Sequence, residues 1–457
     1  MIVRIANGAG FLGDNLDAPR RLVESAAVDY LTLEYLAELT LSILARVREK
    51  DPSAGYAEDF LTVLESLTPA LQAQPGLKIV TNAGGMNPRA CAQAASKILT
   101  TAGLGRESIG VVSGDDLLAE LPRLQAAGCV FENLDTGEPL SSLAQPVVSA
   151  NAYLGARPIA EALASGARIV ITGRVADASL TLGPAVHEFG WQWNDWRRLA
   201  GASVAGHVIE CGAQATGGFY PHWREIDLAS VGYPIAELAD DGDSIITKPA
   251  GSGGVVNRET VAEQLVYEIG DPAHYLTPDV DVDFTTVEIE ECGVDRVRVR
   301  GATGRAAPES YKVSLAYRDG YMATGQMLVY DQAPVEKARA SAEMIFARLK
   351  TAGCEYARSN VECLGAGEAV PGLHSPPQGL REVILRISVH DPRREAVERF
   401  AKELAPLATS GPAGLAGYAS GRPQVRPVFA YWPTLVPKSM VSPFVKVQTA
   451  AAWNEAN

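Results

Sequence analysis

The chain has 457 residues, a length that allows two or three domains with substantial hydrophobic cores. Hydrophobic residues make up 47% of the chain and charged residues 21%, which excludes a mostly disordered protein. The formal net charge is −14 and no run of lysine or arginine is present, so nucleic acid is excluded as a general partner. Any site for an anionic ligand must therefore create its positive potential locally, with individual basic residues.

The chain shows no sign of membrane insertion or secretion. No apolar run reaches transmembrane length, and the N-terminus MIVRIANGAG leads directly into a strand without the basic region of a signal peptide. The six cysteines are scattered without the spacing of a disulfide framework or a metal site. We therefore expect a cytoplasmic protein with no membrane association.

The first strand ends in a glycine-rich turn. It is predicted over residues 2–6 and is followed by a turn that matches the dinucleotide pattern GxGxxG, and a second apolar run ends at Glu34, where an acidic residue could bind a ribose. Pro19 interrupts the segment in which a long helix should follow. Two alternatives stay open, a dinucleotide site and a turn whose amides approach another anion. The turn residues that these alternatives concern are Asn7, Gly8, Gly10 and Gly13.

The same pattern of strand, polar turn and helix recurs about six times up to residue 183. This recurrence predicts βαβ crossovers and a parallel sheet, so that the residues after each strand lie along one edge. Gly84 and Gly85 form a second anion-friendly turn before a helix that begins at Pro88. The side chains predicted to share the edge are Asn7, Glu34, Asn82, Ser113, Asn151 and Arg174.

The stretch RIVITGRVADASLTLG, residues 168–183, is the centre of the predicted site. A β-branched strand leads into Arg174, which can hold a carboxylate or phosphate with two parallel hydrogen bonds. Asp177 could orient that guanidinium, cap the following helix or move a proton. The alternative is a structural one, in which Asp177 is the N-cap and Arg174 is its surface ion-pair partner.

Residues 210–257 contain further candidates of weaker specificity. Cys211 lacks a partnered base in the sequence and reads as an inert thiol, and His222 reads as a packed loop residue. Lys248 precedes a glycine-serine loop and a helix, a combination that resembles a phosphate cradle but lacks the residue order of a P-loop. From about residue 281 the pattern changes to alternating strands. We therefore predict an α/β domain over residues 1–280 and a smaller α+β domain with antiparallel strands over residues 281–457.

Several motifs together resemble one protein family. They lie in order along nearly the whole chain: GAGFLGD, YLTLEYLAE, NAGGMNP, NAYLGA, ITGRVADAS, ECGAQATGG, GSGGVVN, SGPAG and GRPQVRPV. In combination they resemble the acyclic terpene utilisation AtuA family, a DUF1446-type family. The resemblance implies bacterial breakdown of branched isoprenoid acids through acyl-CoA intermediates, but it carries over no set of catalytic residues. Longer members add a small C-terminal domain. We expect this chain to lack that domain after Ala450, and a small partner chain to supply it.

Three functional hypotheses follow. The first is an enzyme of the lyase, hydratase or isomerase type without an organic cofactor, acting on a carboxylate or acyl-CoA, with a divalent metal left open. In it, Arg174 binds the anion, Glu34 or Asp177 moves the proton, and Asn82 with the glycine amides stabilises developing charge. The second is a nicotinamide-dependent dehydrogenase, and the third is a non-catalytic subunit of a catabolic assembly. We expect a homo-oligomer in each case.

Overall fold

The centre of the fold is a set of short strands that are apolar at nearly every position. In the computed structural model, which describes residues 1–373, 377–417 and 421–455, Tyr30–Leu33 and Ile169–Thr172 are buried along their whole length. A strand covered on both faces has no solvent side, so it lacks the polar alternation of a half-exposed strand. These apolar runs therefore belong to the middle layer of an α/β structure.

The strands of the described residues follow from the chain in this order: β1 (Ile2–Asn7), β2 (Tyr30–Leu33), β3 (Lys78–Thr81), β4 (Ser108–Ser113), β5 (Val147–Ala152), β6 (Ile169–Thr172), β7 (Ile235–Ala239), β8 (Ser244–Thr247), β9 (Tyr275–Leu276), β10 (Asp281–Asp283), β11 (Glu288–Gly293), β12 (Arg296–Arg300), β13 (Thr303–Arg305), β14 (Ser310–Tyr330), β15 (Arg358–Leu364), β16 (Glu382–Asp391), β17 (Leu415–Gly417), β18 (Arg426–Pro437) and β19 (Phe444–Thr449).

The α-helices of the same residues are α1 (Ala18–Ser25), α2 (Glu38–Lys50), α3 (Asp59–Ala73), α4 (Pro88–Thr101), α5 (Leu121–Ala126), α6 (Arg157–Ala164), α7 (Ser179–Phe189), α8 (Trp196–Glu210), α9 (Arg258–Val266), α10 (Pro334–Thr351), α11 (Arg394–Phe400), α12 (Leu407–Ser410) and α13 (Ala450–Glu455). Proline stands in the first turn of α1, α4 and α6, where its missing N–H costs no helical hydrogen bond.

The main sheet is mixed. Its order is β11-β12-β8-β7-β1-β2-β3-β6-β4-β19. The five central strands β1, β2, β3, β6 and β4 run parallel to one another. Antiparallel strands extend the sheet at both sides, through β7 next to β1 and β19 next to β4. The expectation of an α/β protein with parallel strands is confirmed at this level.

Two features of the main sheet differ from the sequence prediction. β5, predicted as one of the parallel strands, does not join this sheet but pairs with β14. β11 and β12, which come from the stretch predicted to begin the α+β region, extend the main sheet through β8. Local apolar patterning marks β5, β11 and β12 as strands, but it carries no information on which strands pair.

Helices cover both faces of the main sheet. On one face, α1, α3, α4 and α13 enclose a continuous core that includes Phe60, Leu64 and Trp453. On the other face, α6, α7 and α8 lie side by side against the strands. The carboxyl ends of the parallel strands remain at one edge of this three-layer arrangement, where ligands collect in open α/β sheets.

The chain divides into two compact units by its internal contacts. Unit 1 contains Met1–Ala316 and the segment from Tyr431 onward, and unit 2 is Tyr317–Ala430. In unit 2, α10 and α11 pack on antiparallel strands, among them β15 and β16, around a core that contains Ile345 and Phe400. The predicted division into an α/β domain over residues 1–280 and an α+β domain over residues 281–457 stays a prediction. In the described residues, every helix is too short or too polar to cross a bilayer.

Candidate functional site

Three neighbouring strands place four of the predicted side chains next to each other. Glu34 follows β2, Asn82 follows β3, and Arg174 and Asp177 follow β6, and these strands are adjacent in the order β2-β3-β6. Because all three are parallel, their carboxyl ends meet at one edge. The structure therefore brings these four residues together, as their positions after strands predict.

Arg174 is the centre of this group. Its side chain is 2% exposed, and its Nη1 donates a hydrogen bond to the carbonyl oxygen of Leu36 at 2.5 Å. The same Nη1 lies 3.0 Å from Asp177 Oδ1, and the guanidinium carbon lies 4.1 Å from the ring centroid of Tyr153. One end of the guanidinium is thus already engaged by the protein. Its Nε is buried and has no hydrogen-bond partner within the described residues.

Glu34 interacts with Arg174 through its charge and is 5% exposed. Its Oε1 accepts hydrogen bonds from Asn82 Nδ2 and, at 2.9 Å, from the backbone N–H of Leu36. Its Oε2 is buried without a partner in the part of the chain that the structure describes. Burial, together with the charge of Asp177, raises the pKa of Glu34 well above its ordinary value, although Arg174 and Asn82 act in the opposite direction.

Asp177 is more exposed than Glu34, with 33% of its side chain exposed, but its Oδ1 is buried and has no hydrogen-bond partner within the described residues. Burial of the carboxyl group raises the pKa of Asp177 to about 7; Arg174 lowers it, and the charges of Glu210 and Glu38 raise it further. A carboxyl group with a pKa near neutrality can both accept and donate a proton at physiological pH. The predicted N-cap alternative is not supported by geometry, because Ala178 occupies the N-cap position of α7.

Asp115 holds the loop that carries Arg174. Its Oδ2 accepts the backbone N–H of Arg174 and the side-chain Nδ2 of Asn151, each at 2.8 Å. Asp115 is 2% exposed, and burial raises its pKa to about 6. Asn151, a predicted substrate-binding residue, thus reaches the group from β5 through Asp115, and its Oδ1 is buried without a partner in the described ranges.

A polar rim lies next to Arg174. The Tyr153 hydroxyl donates to Glu38 Oε1, and Lys312 Nζ lies 3.5 Å from the same oxygen and 5.0 Å from the Tyr153 ring centroid. The Lys312 side chain is 45% exposed. The fully buried Arg174 and the accessible Lys312 therefore share one aromatic ring.

The glycine-rich turn after β1 uses its amides within the protein. The N–H of Gly10 donates to Asp14 at 2.8 Å and that of Gly13 donates to Asp59 at 3.0 Å. A Cβ atom on Gly10 would lie 2.6 Å from the carbonyl carbon of Cys211. Gly10 thus permits close packing of two backbones, and carboxylates already occupy the positions where a phosphate would bind. This arrangement does not support a dinucleotide at the turn.

Asn7 connects β1 to the end of α8. Its Nδ2 donates to the carbonyl oxygens of Ile209 and Glu210, at 2.7 and 2.6 Å. Glu210 has a 10% exposed side chain, its Oε2 has no partner in the described residues, and its Oε1 lies 3.1 Å from His207 Nδ1. Burial raises the pKa of the neighbouring Cys211 thiol to about 12, which agrees with an inert thiol.

The remaining predicted binding residues have structural partners. Gly84 lets the loop after β3 approach β6, because an added Cβ would lie 2.5 Å from the carbonyl oxygen of Thr172, and the N–H of Gly85 donates to the Asn82 carbonyl. The amide of Gly8 donates to Thr32. Lys248 is buried, with its Nζ 3.0 Å from Asp295 and 2.8 Å from the Ser252 carbonyl oxygen. Substrate binding by these residues stays a prediction.

Sequence reasoning missed several side chains that complete the group. Asp115 follows β4 as Arg174 follows β6, so its position after a strand was an available signal. His207 and Glu210 stand three residues apart in α8, the spacing at which two side chains share a helix face. Tyr153 and Glu38 had no comparable signal, because only the fold brings them to Arg174.

Comparison with known proteins assigns the family. The family described as "Acyclic terpene utilisation family protein AtuA" matches residues 3–447, nearly the whole chain. No curated protein and no solved structure shows significant similarity to the chain. The motifs that gather Glu34, Asn82, Arg174 and Asp177 at one sheet edge lie inside the matched range. The chain therefore belongs to the acyclic terpene utilisation AtuA family.

Proposed function

We propose that the chain is an enzyme that transfers protons on a carboxylic acid or an acyl thioester, in a lyase, hydratase or isomerase reaction. The observation that carries the proposal is a buried arginine, Arg174, flanked by two carboxyl groups, Glu34 and Asp177, whose pKa values are both raised. Perturbed carboxyl groups that share one charge partner at the edge of an α/β sheet are typical of catalytic sites.

Asp177 is the proposed proton-transferring group. It is the carboxyl group of the pair that solvent reaches, and its pKa of about 7 suits acid and base roles. A purely structural pair of the same spacing exists in the chain, since Asp195 and Arg198 lie 2.9 Å apart with 33% and 39% of their side chains exposed. Arg174 differs from Arg198 because it is buried, and burying a charge costs free energy unless partners compensate for it.

Glu34 and Asn82 are proposed to support this chemistry through the charge of Arg174. Glu34 is too buried to meet a substrate directly in this conformation, so it acts through Arg174, with its orientation fixed by Asn82 and Leu36. A raised pKa lets Glu34 hold a proton and so keeps the charge of the group balanced while Asp177 changes its protonation state. In this role Glu34 is a positioning residue.

The family supports the substrate class. Membership in a family implicated in acyclic terpene utilisation favours branched isoprenoid acids, either free or as coenzyme A thioesters. An anionic substrate suits the local cations, and Lys312 offers an accessible positive charge beside the buried Arg174. Hydratase, lyase and isomerase reactions of an acyl compound move a proton at the carbon next to the carbonyl. We assign the transfer of this proton to Asp177.

The test is solvent-proton transfer by the purified chain. Branched 2-enoyl and 3-hydroxyacyl thioesters, and the corresponding free acids, are incubated with protein in D2O, and product and deuterium content are followed by mass spectrometry. We expect turnover or exchange with at least one compound, and a loss of about 10² to 10⁴ in rate for Asp177→Asn. Asp195→Asn is the matched control, because Asp195 is as exposed as Asp177 and forms an ion pair of the same sequence spacing, and this variant should keep the wild-type rate. Inactivity of folded wild type on the whole panel, or equal rates for both variants, would overturn the proposal.

A further inference from the structure

His207 is a buried histidine with two acceptor-type neighbours. Its side chain is 1% exposed, its Nδ1 lies 3.1 Å from Glu210 Oε1, and its Nε2 lies 3.0 Å from the backbone carbonyl oxygen of Gln264. The rings of Tyr275 and Phe284 lie against it, with centroids 5.6 and 5.3 Å away. The proposed acid/base chemistry makes no use of this residue so far.

The two contacts determine how many protons the pair holds. A carbonyl oxygen only accepts, so Nε2 of His207 carries a hydrogen. The Nδ1 contact then needs one further proton, which sits either on Nδ1, facing a carboxylate, or on Glu210, facing a neutral ring. In both states the two side chains share a single proton between Nδ1 and Oε1, and the pair as a whole is uncharged.

Packing brings α8, the helix that carries this pair, against the residue that follows Asp177. An added Cβ on Gly206 would lie 2.9 Å from the Cα of Ala178, so α8 touches the chain at the residue that follows Asp177. Glu210 stands four residues after Gly206, one helical turn further on the same face of α8. Asn7 fixes that end of α8 by binding the carbonyl oxygens of Ile209 and Glu210.

We propose that Glu210 and His207 form a proton-relay pair for Asp177, with Glu210 as the member that exchanges a proton with it. This inference rests on the proposed function of Asp177. When Asp177 gives its proton to the substrate, the proton shared by the pair replaces it, which leaves Glu210 as a carboxylate and His207 as the neutral Nε2–H ring. A proton from solvent then restores the pair, so atoms and charge balance over the cycle.

The charges around the pair are compatible with this role. Burial lowers the pKa of His207, but Glu210, the carbonyl oxygen of Gln264 and, less strongly, Glu268 favour the protonated ring, so the pKa is raised overall. Tyr275 faces the same group, and the charges of Glu210, Asp177 and Glu268 add to burial in raising its pKa. Tyr275 therefore stays neutral and acts as a wall of the site. The unpartnered Oε2 of Glu210 gives the carboxyl group a free lone pair through which a proton can pass.

A titration without substrate tests the coupling directly. Protein with ¹⁵N-labelled histidine is titrated by NMR, and the His207 resonance is identified by its loss in His207→Gln or, should that variant not fold, by its shift in Glu210→Gln. We expect Asp177→Asn to move the His207 titration midpoint by a measurable fraction of a pH unit, and Asp195→Asn to leave it in place. An unchanged midpoint in Asp177→Asn would overturn the relay.

The pH profile of turnover provides the second readout. Glu210→Gln removes the carboxylate whose charge raises the pKa of Asp177, so the Asp177 limb of the profile should move to lower pH. A purely structural role of Glu210 predicts a lower rate with an unmoved limb, and that result also contradicts the proposal. NMR coupling in a protein that converts no acyl compound would leave the relay standing and refute only the proposed reaction.

Discussion

The carboxylate of Asp115 accepts the backbone N–H of Arg174 at 2.8 Å, across 59 positions of sequence. The loop after β6 lies so close to Asp115 that a Cβ on Gly173 would be 2.3 Å from Asp115 Oδ1. Glycine is therefore required at position 173 by space, since any side chain would push Asp115 away. Asp115 fixes the backbone from which Arg174 and Asp177 extend, and its burial has a consequence for stability.

Asp115→Asn should change how stability depends on pH. The folded-state pKa of Asp115 is about 6, against an ordinary value of 3.8, so the folded protein keeps a proton that the unfolded chain releases between these pH values. The stabilisation from this proton is complete below pH 3.8 and is lost as pH rises through 6. From pH 4 to 7.5 the free energy of unfolding of the variant should therefore rise relative to wild type, by about 3 kcal/mol at most.

Urea denaturation at several pH values measures this difference. Asp116→Asn is the matched control, because Asp116 is the next residue but is 34% exposed and pairs with Arg48 at the surface. Exposed ion pairs contribute little to stability. The difference in unfolding free energy between Asp116→Asn and wild type should therefore vary much less with pH. Parallel curves for Asp115→Asn and wild type would contradict the assignment of a raised pKa.

Arg174→Gln should strongly destabilise the protein at alkaline pH. The substitution leaves Glu34 and Asp177 without their cation and removes the donor to Leu36, and breaking a buried pair from one side costs about 3 to 5 kcal/mol. The loss should be smaller at pH 5, because both carboxyl groups have raised pKa values and take up protons there. Arg198→Gln, at the exposed pair with Asp195, should cost about 1 kcal/mol or less. If the two variants lost similar free energies of unfolding at pH 8, the ion pair of Arg174 with Asp177 would contribute no more than an exposed surface pair.

Glu34→Gln should lower turnover by about 10²-fold, the lower end of the effect of an acid/base group, because Glu34 acts through Arg174. Gln keeps an oxygen that can accept from Leu36 and Asn82, so the fold and the melting temperature should be retained. Circular dichroism and the acyl thioester assay measure both properties. Glu237→Gln, which neutralises a 14% exposed carboxylate paired with Arg296, is the control. Normal turnover in Glu34→Gln would contradict the positioning role of Glu34.

Gly10→Ala tests what the glycine-rich turn is for. The new methyl group would lie 2.6 Å from the backbone of Cys211, so we expect a loss of about 1 to 3 kcal/mol in unfolding free energy. Gly76→Ala is the control, since a Cβ there meets no atom of the described residues within 4 Å. Thermal melts with and without NADH complete the test. Stabilisation of wild type by NADH that Gly10→Ala abolishes would support the dinucleotide alternative instead of a packing role.

Much of the candidate site follows from local sequence. Apolar runs such as Tyr30–Leu33 and Ile169–Thr172 predict buried strands, and the polar residues after parallel strands must share an edge, which correctly joins Glu34, Asn82 and Arg174. Strand pairing is not local, so β5 was predicted in the wrong sheet, and the antiparallel extension by β7 and β19 was not predicted.

The sequence by itself therefore determined the fold class, the family and the residues that follow each parallel strand. Only the tertiary structure decided their electrostatic state. Arginine at position 174 reads as an anion-binding residue in sequence, but burial between Tyr153, Glu34 and Asp177 engages it within the protein and raises the pKa values of both carboxyl groups. The physical reason is that desolvation and charge pairing depend on distance in space, and those distances join residues such as Asp115 and Arg174 that are far apart in the chain.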